Sequence, residues 1–468
     1  MQIFRLFVAS LFLITAVNPL QAQKMKLRGF GKGYQGAELK IYYQSDPVSK
    51  SLVPLTRINC DSEGHFECDL NIRQSDVITI KTGIYHLSLY IDTINDLSIK
   101  LPDFIAKTEE EEQNSYFAET KSIPEVLDNE SNINNLISAF DSVYNPIFNR
   151  VADRMMYNVK RNDIPSLIEK LNNVSYKGPS SYFNDFIRFR LVMLNQVASG
   201  EYPGRKEDSL LINLKFSPEN PAYTDLIEQM FTKYLNSLSG GRLKDSFNHA
   251  ISEPSVSGLK QVIFNDGKAT SEQLREYIII MNLFNEYYGP AIPRDKIITM
   301  LENLKAEGTG EYIRNLAATI ENKLTMLAAG TTPPFFSLSD DKGKLVSAQD
   351  FKGKFLILSF ARSDNAFSVS EYGILKSWAL KFGDNLNIVT ILRDRDFKTG
   401  LKRFRNMGFS WVILDGSDAD LTEYLYDVSL YPSFLLVDRD GKISINPCPF
   451  PSENLDEVIG KKIAEEKN

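Results

Sequence analysis

A chain of 468 residues, 43% hydrophobic and 24% charged, is globular in composition and too long for one hydrophobic core, so two or three domains are expected. The formal net charge of -7, with no long run of Lys or Arg, offers no basic field for a phosphate backbone and excludes nucleic acid as a partner.

The opening stretch MQIFRLFVASLFLITAVNPLQAQ carries one early positive charge at Arg5, an apolar run through Val17, a helix-breaking Pro19 and the small Ala22. That layout predicts a secretory signal peptide over residues 1–22, cut after Ala22. The apolar run is short for a bilayer span, and no cysteine lies near the cut to carry a lipid anchor. The mature chain is therefore expected to be exported, to the periplasm, with no membrane span after cleavage and in a compartment where disulfides persist.

Residues 23–105 alternate apolar and polar side chains in short runs, AELKIYY, VPLTRINC, HFECDLNI, DVITIKTG, YHLSLYID and DLSIKLP. Runs rich in Val, Ile, Thr and Tyr, divided by Asp, Ser and Gly, predict an antiparallel β-sheet domain. GKGYQG, Gly31 to Gly36, satisfies the dinucleotide pattern G-x-G-x-x-G but lies between two strands with no helix after it to hold a pyrophosphate, so it reads as a turn. CDSEGH reads as a hairpin turn with Cys60 and Cys68 on its two strands. With a three-residue loop centred on Glu63 these cysteines share a face and a disulfide can close; with a four-residue loop they point to opposite faces. Cys60, His65 and Cys68 lack a fourth metal ligand, so no metal site and no cofactor is expected there.

The acidic stretch AKTEEEEQNSYFAETKS reads as a boundary or exposed linker. Over residues 106–328 the period changes, with apolar side chains three and four apart from INNLISAFDSVYNPIF through IPSLIEKLNNV to DKIITMLENLKAEG, which predicts a helical domain whose aromatic stripes form core. AAGTTPPFF breaks that pattern and opens a domain over residues 329–468. There a hairpin around Asp341-Lys342-Gly343 precedes a buried strand, Phe355 to Phe360. A helix (Tyr372 to Phe382), a strand (Leu386 to Leu392), a helix (Thr399 to Asn406), WVILD, a short helix near Leu421 to Tyr426, the strand pair SFLLVDRDGKISI and a last helix from Asn454 follow. That order predicts an α/β sandwich with a mixed sheet.

PPFFSLSDDKGKLVSAQDFKGKFLILSFA, VSLYPSFLLVDRDGKI and the order of elements between them resemble the TlpA/ResA-type thioredoxin-like proteins, exported relatives of thioredoxin and the peroxiredoxins. The resemblance covers roughly the final third of the chain, and the two upstream domains look like the N-terminal extensions common on such proteins in Bacteroidetes. In that family a Cys-x-x-Cys pair follows the first long strand at a helix N-terminus, where free amides and the helix dipole stabilise a thiolate. The pattern places Asn365 and Ser368 at the two cysteine positions, with Ala366 and Phe367 between, so the redox pair is absent. The helix start itself is well built: Asp364 or Asn365 can cap it, and Ser368-x-x-Glu371 has capping-box spacing. Pro432, after Tyr431, matches the family's cis-proline, which implies a peptide groove between residues 364–368 and 430–432.

The remaining cysteine, Cys448, follows the last strand with no His or Lys pair to activate it and reads as a free, inert thiol or an intermolecular link. The expected function is that of an exported thioredoxin-fold protein without catalytic residues, a binding or structural member whose partner is a peptide or protein of the cell envelope. The alternative is a thiol-disulfide oxidoreductase working through Cys448 or the Cys60/Cys68 pair.

Overall fold

The computed structural model describes residues 23–72, 77–114, 116–157, 166, 169, 171, 180–199, 215–269 and 271–465. The expected signal peptide over 1–22 lies outside the described residues, and IPSLIEKLNNV does so but for three positions. No helix among the described residues is long and apolar enough to cross a membrane. The chain forms two compact units: residues 23–107 with 118–321, and residues 108–117 with 322–465.

The first unit holds strands β1 (Gln23–Phe30), β2 (Glu38–Gln44), β3 (Leu52–Asn59), β4 (His65–Ile72), β5 (Val77–Thr82), β6 (Tyr85–Tyr90), β7 (Leu97–Lys100), β8 (Thr120–Ser122) and β9 (Glu125–Val126). They form two sheets, ordered β4-β1-β7-β9 and β3-β2-β5-β6-β8. Alternation decides which side chains go inward: along β6, Tyr85, Leu87 and Leu89 are buried while His86, Ser88 and Tyr90 are half-buried. Leu27, Ile41, Ile80, Leu87 and Ile99 are fully buried in one core, each worth about 1.5–3 kcal/mol of transfer free energy. Pairing is antiparallel except between β1 and β7 and between β6 and β8.

The expected Cys60/Cys68 hairpin is corrected. β3 pairs with β2 and β4 with β1, so the segment between them is a corner joining two sheets, and no shared register brings the two cysteines opposite each other. Asp61 builds that corner by accepting the Glu63 and His65 amides at 2.9 and 2.8 Å, and Gly64 supplies its positive φ of 85°. Cys60 and Cys68 are free thiols. GKGYQG is a turn, with Tyr34 buried beneath it.

The expected β and helical domains fall in this one unit, because the sheets and helices share polar and aromatic contacts. Asn134, in the helix Ile133–Tyr157, accepts the Tyr90 amide at 2.7 Å and donates to the Tyr90 carbonyl at 2.9 Å, and Tyr90 meets Phe186 edge to face. Strands β8 and β9 also lie beyond the expected boundary at residue 105 and extend both sheets. Eight further described α-helices follow, from Ser181–Ser199 to Gly310–Thr325, among them the largely buried Glu272–Glu286.

The second unit contains the short pair β10 (Leu338–Ser339) and β11 (Leu345–Val346) and a five-stranded sheet of β12 (Phe355–Ala361), β13 (Leu386–Leu392), β14 (Val412–Asp415), β15 (Ser433–Val437) and β16 (Ile443–Ile445). Its order is β14-β13-β12-β15-β16, with β12, β13 and β14 parallel and β15 and β16 antiparallel to their neighbours. FLILSFA is buried at all seven positions, as a central strand covered on both faces requires, and the one polar side chain, Ser359, donates to the Val389 carbonyl at 3.1 Å. Helices Ala366–Phe382, Phe397–Asn406, Asp420–Leu425 and Leu455–Glu465 complete an α/β unit whose core includes Phe355, Ile357, Tyr372, Leu436 and Ile459. The elements expected from Phe355 onward are present in the expected order.

Candidate functional site

Strand register brings the site together. Ala361 lies beside Leu392 on β13 and Phe360 beside Ser433 on β15, while Leu392 pairs with Asp415 on β14. The segments 362–365, 393–396, 416–420 and 430–432 therefore emerge at one end of the sheet, the carboxyl end of the parallel strands where open α/β sheets place their ligands.

Asn365 begins the helix Ala366–Phe382. Its Oδ1 accepts the Ser368 amide at 2.8 Å, so Asn365 is the N-cap. The helix therefore starts six residues before the expected Tyr372, and the expected Ser368-x-x-Glu371 capping box does not form. Ser368 sits inside the first turn, fully buried, and its Oγ has no hydrogen-bond partner among the described residues. Glu371, also buried, accepts the Ser452 amide at 2.9 Å. Asp364 turns away from the helix to form a bidentate pair with Arg362, at 3.0 and 2.8 Å, which holds the carboxyl of Asp364 below its usual range. Ala366 is exposed, and Phe367 is 47% exposed with its ring edge-on to Phe450.

Leu430 to Pro432 lead into β15 at the same end of the sheet. The Tyr431–Pro432 peptide is cis, as the resemblance implied. Pro432 is buried, while Leu430, 40% exposed, adds apolar surface. The Tyr431 hydroxyl donates to Glu423 in a buried network centred on Arg393. Arg393 donates to the Gly416 and Ser417 carbonyls at 2.6 and 2.7 Å and pairs with Asp420 at 2.7 Å and Glu423 at 2.8 Å. Burial works against the guanidinium, but Glu423, Tyr431 and Asp420 outweigh it and hold its pKa above the ordinary arginine value.

Sequence reasoning missed a carboxylate beneath the loop. Asp394, buried, accepts the Ser363 amide at 3.2 Å and the Ser363 hydroxyl at 3.1 Å. Burial pushes its pKa up, and the Ser363 bonds only partly oppose that. Gly400 makes room for it, since a Cβ there would collide with the carboxylate. The run RDRD after a buried strand marks the position in the sequence, but nothing in its spacing singles out Asp394.

Each native thiol is disfavoured as a nucleophile. Burial raises the pKa of Cys60, pushes Cys68 up to about 11 and pushes Cys448, packed against the core of the second unit, up to about 12. At neutral pH such thiols hold almost no thiolate. No cluster of three or more His, Cys, Asp or Glu side chains able to hold a metal ion occurs among the described residues.

The strand order, the capped helix after the central strand and the cis-proline before β15 define a thioredoxin-fold unit. Structures similar to it include the thioredoxin domain of a thiol-disulfide oxidoreductase from Bacteroides vulgatus, at 25% identity over 29% of this chain and 97% of that one, TM-score 0.26. A thiol:disulfide interchange protein from Bacteroides sp. is similar at 26% identity over 29% of this chain and 90% of that one, TM-score 0.26. A thiol-disulfide oxidoreductase from Bacteroides fragilis is similar at 22% identity over 27% of this chain and 99% of that one, TM-score 0.25. No protein-family model matches the chain, and no curated protein matches it.

Proposed function

We propose that this chain is an exported thioredoxin-fold protein, acting in the periplasm, that uses the loop end of its second unit to bind a peptide or protein of the cell envelope and performs no thiol-disulfide exchange. The observation that carries this reading is the cap itself: where a reactive thiol would receive the first amides of the helix, Asn365 Oδ1 receives the Ser368 amide instead. Asn365 and Ser368 keep the helix start in shape without any group able to transfer electrons. The exposed Phe367 and Leu430 leave apolar surface on both sides of the loop for a bound chain.

The alternative route through Cys448 or through Cys60 and Cys68 requires a thiolate that burial opposes at all three positions. Alkylation with iodoacetamide across pH 6 to 9, read by mass spectrometry on the folded protein, tests this. All three thiols should react more slowly than free cysteine throughout. One that reacts faster than free cysteine at pH 7 would restore the exchange reading.

A further inference from the structure

The acidic segment Thr108–Phe117 forms part of the second unit, although about 250 residues separate it from the loop it touches. Within it Glu109–Gln113 is helical, started by a capping box: Thr108 Oγ1 accepts the Glu111 amide at 3.2 Å and Glu111 Oε2 accepts the Thr108 amide at 2.8 Å. The stretch expected to be a boundary or exposed linker thus contains a short capped helix, Glu109–Gln113. Glu112 pairs with Arg395 at 2.7 Å and lies 3.7 Å from Arg362, and the Gln113 amide donates to the Asp364 carbonyl at 3.3 Å. Arg362 and Asp364 belong to the loop that leads into the Asn365 cap, and Arg395 to the neighbouring loop after β13.

Two features show that this contact is weakly held. The helix has only five residues, too few to persist alone, and none of them is buried. Arg395, its strongest partner, is 88% exposed, so the pair is screened by salt. Because it is part of the same chain, this short acidic segment meets the loop at high effective concentration while each of its contacts remains individually weak.

We propose that residues 108–117 are a tethered occupant of an arginine-lined docking surface formed by Arg362 and Arg395, and that the external partner of this surface is an acidic peptide that displaces them. This rests on the reading of the loop as a binding site. Carboxylates of the partner take the place of Glu112 on Arg395 and Arg362, and the chain beyond them runs toward Phe367 and Leu430.

The test uses a fluorescein-labelled synthetic peptide of the segment itself, TEEEEQNSYF, read by anisotropy against the full chain. The double variant Glu112→Arg with Gln113→Ala releases the internal copy and should bind the peptide at least tenfold more tightly than the unaltered protein does. Adding Arg395→Glu should remove that gain, as should a peptide with its glutamates replaced by glutamine. If the double variant fails to fold, replacing 108–117 by a ten-residue Gly-Ser linker serves in its place. No binding to either released form, equal binding to the unaltered protein, or binding indifferent to Arg395 would each overturn the inference. Failure of the underlying reading is distinguishable, because cysteine-dependent disulfide reduction would refute that reading without altering peptide binding.

Discussion

Placing thiols where the loop now holds Asn365 and Ser368 asks whether the scaffold still activates a nucleophile. In the double variant Asn365→Cys, Ser368→Cys, the first sulfur occupies the cap and faces the Ser368 amide that Asn365 Oδ1 now accepts at 2.8 Å. An anion at a partly buried helix N-terminus gains about 1–2 kcal/mol. At about 1.4 kcal/mol per pKa unit, that lowers the thiol from about 8.5 to about 7–8. The two positions lie three apart on the first turn, so a disulfide can close between them. Loss of the asparagine cap costs about 1 kcal/mol. The second change sacrifices no hydrogen bond, because Ser368 Oγ is buried without a partner among the described residues, and a thiol tolerates burial better than a hydroxyl. Net stability should therefore stay within about 1 kcal/mol of the unaltered protein. Thiol titration by absorbance at 240 nm reads the pKa, and insulin turbidity with dithiothreitol reads gained reductase activity. A first thiol titrating at or above 8.5, or two cysteines that remain unlinked under oxidising conditions, would refute the argument that this loop retains an activating helix start.

Two further outcomes follow from buried charge. Because the folded-state pKa of Asp394 is raised, its ionised form costs stability at neutral pH, and the cost disappears as pH falls below the unfolded value of about 3.9. Asp394→Asn should therefore gain stability relative to the unaltered protein as pH rises from 4 to 7 in urea melts, and a difference that does not change with pH would contradict this. Arg393→Met removes the cationic partner that Asp420 and Glu423, both of low exposure, share, and should cost about 3–5 kcal/mol. The measured loss should fall in the variant Arg393→Met, Glu423→Gln, which removes one uncompensated charge.

Much of the second unit was legible because each signal was local. The run FLILSF reads as a buried strand, Phe355 to Phe360, and the structure places it at the centre of the sheet, while VSLYPSF put the proline just before strand β15. The helix start was less legible, since Asp364, Asn365 and Ser368 are all capping residue types. Arg362 decides among them by engaging Asp364, and that pair depends on the folded loop. The Cys60/Cys68 corner was misjudged because a turn signal does not reveal whether the chain continues in the same sheet or crosses to another. Asp394 and the docked segment 108–117 escaped for a related reason. Burial of one carboxylate and the ion pair of Glu112 with Arg395 arise between residues far apart in sequence.

Reduction of insulin is the most direct measurement of whether this thioredoxin fold has set redox chemistry aside. Turbidity should be followed with dithiothreitol for the unaltered protein, for the variant Cys60→Ser, Cys68→Ser, Cys448→Ser, and for dithiothreitol alone. All three traces should coincide, since no thiol occupies position 365 or 368 and burial disfavours the thiolate of each native cysteine. A faster onset with the unaltered protein that disappears in the triple variant would contradict the account and assign the chain a working disulfide reductase activity.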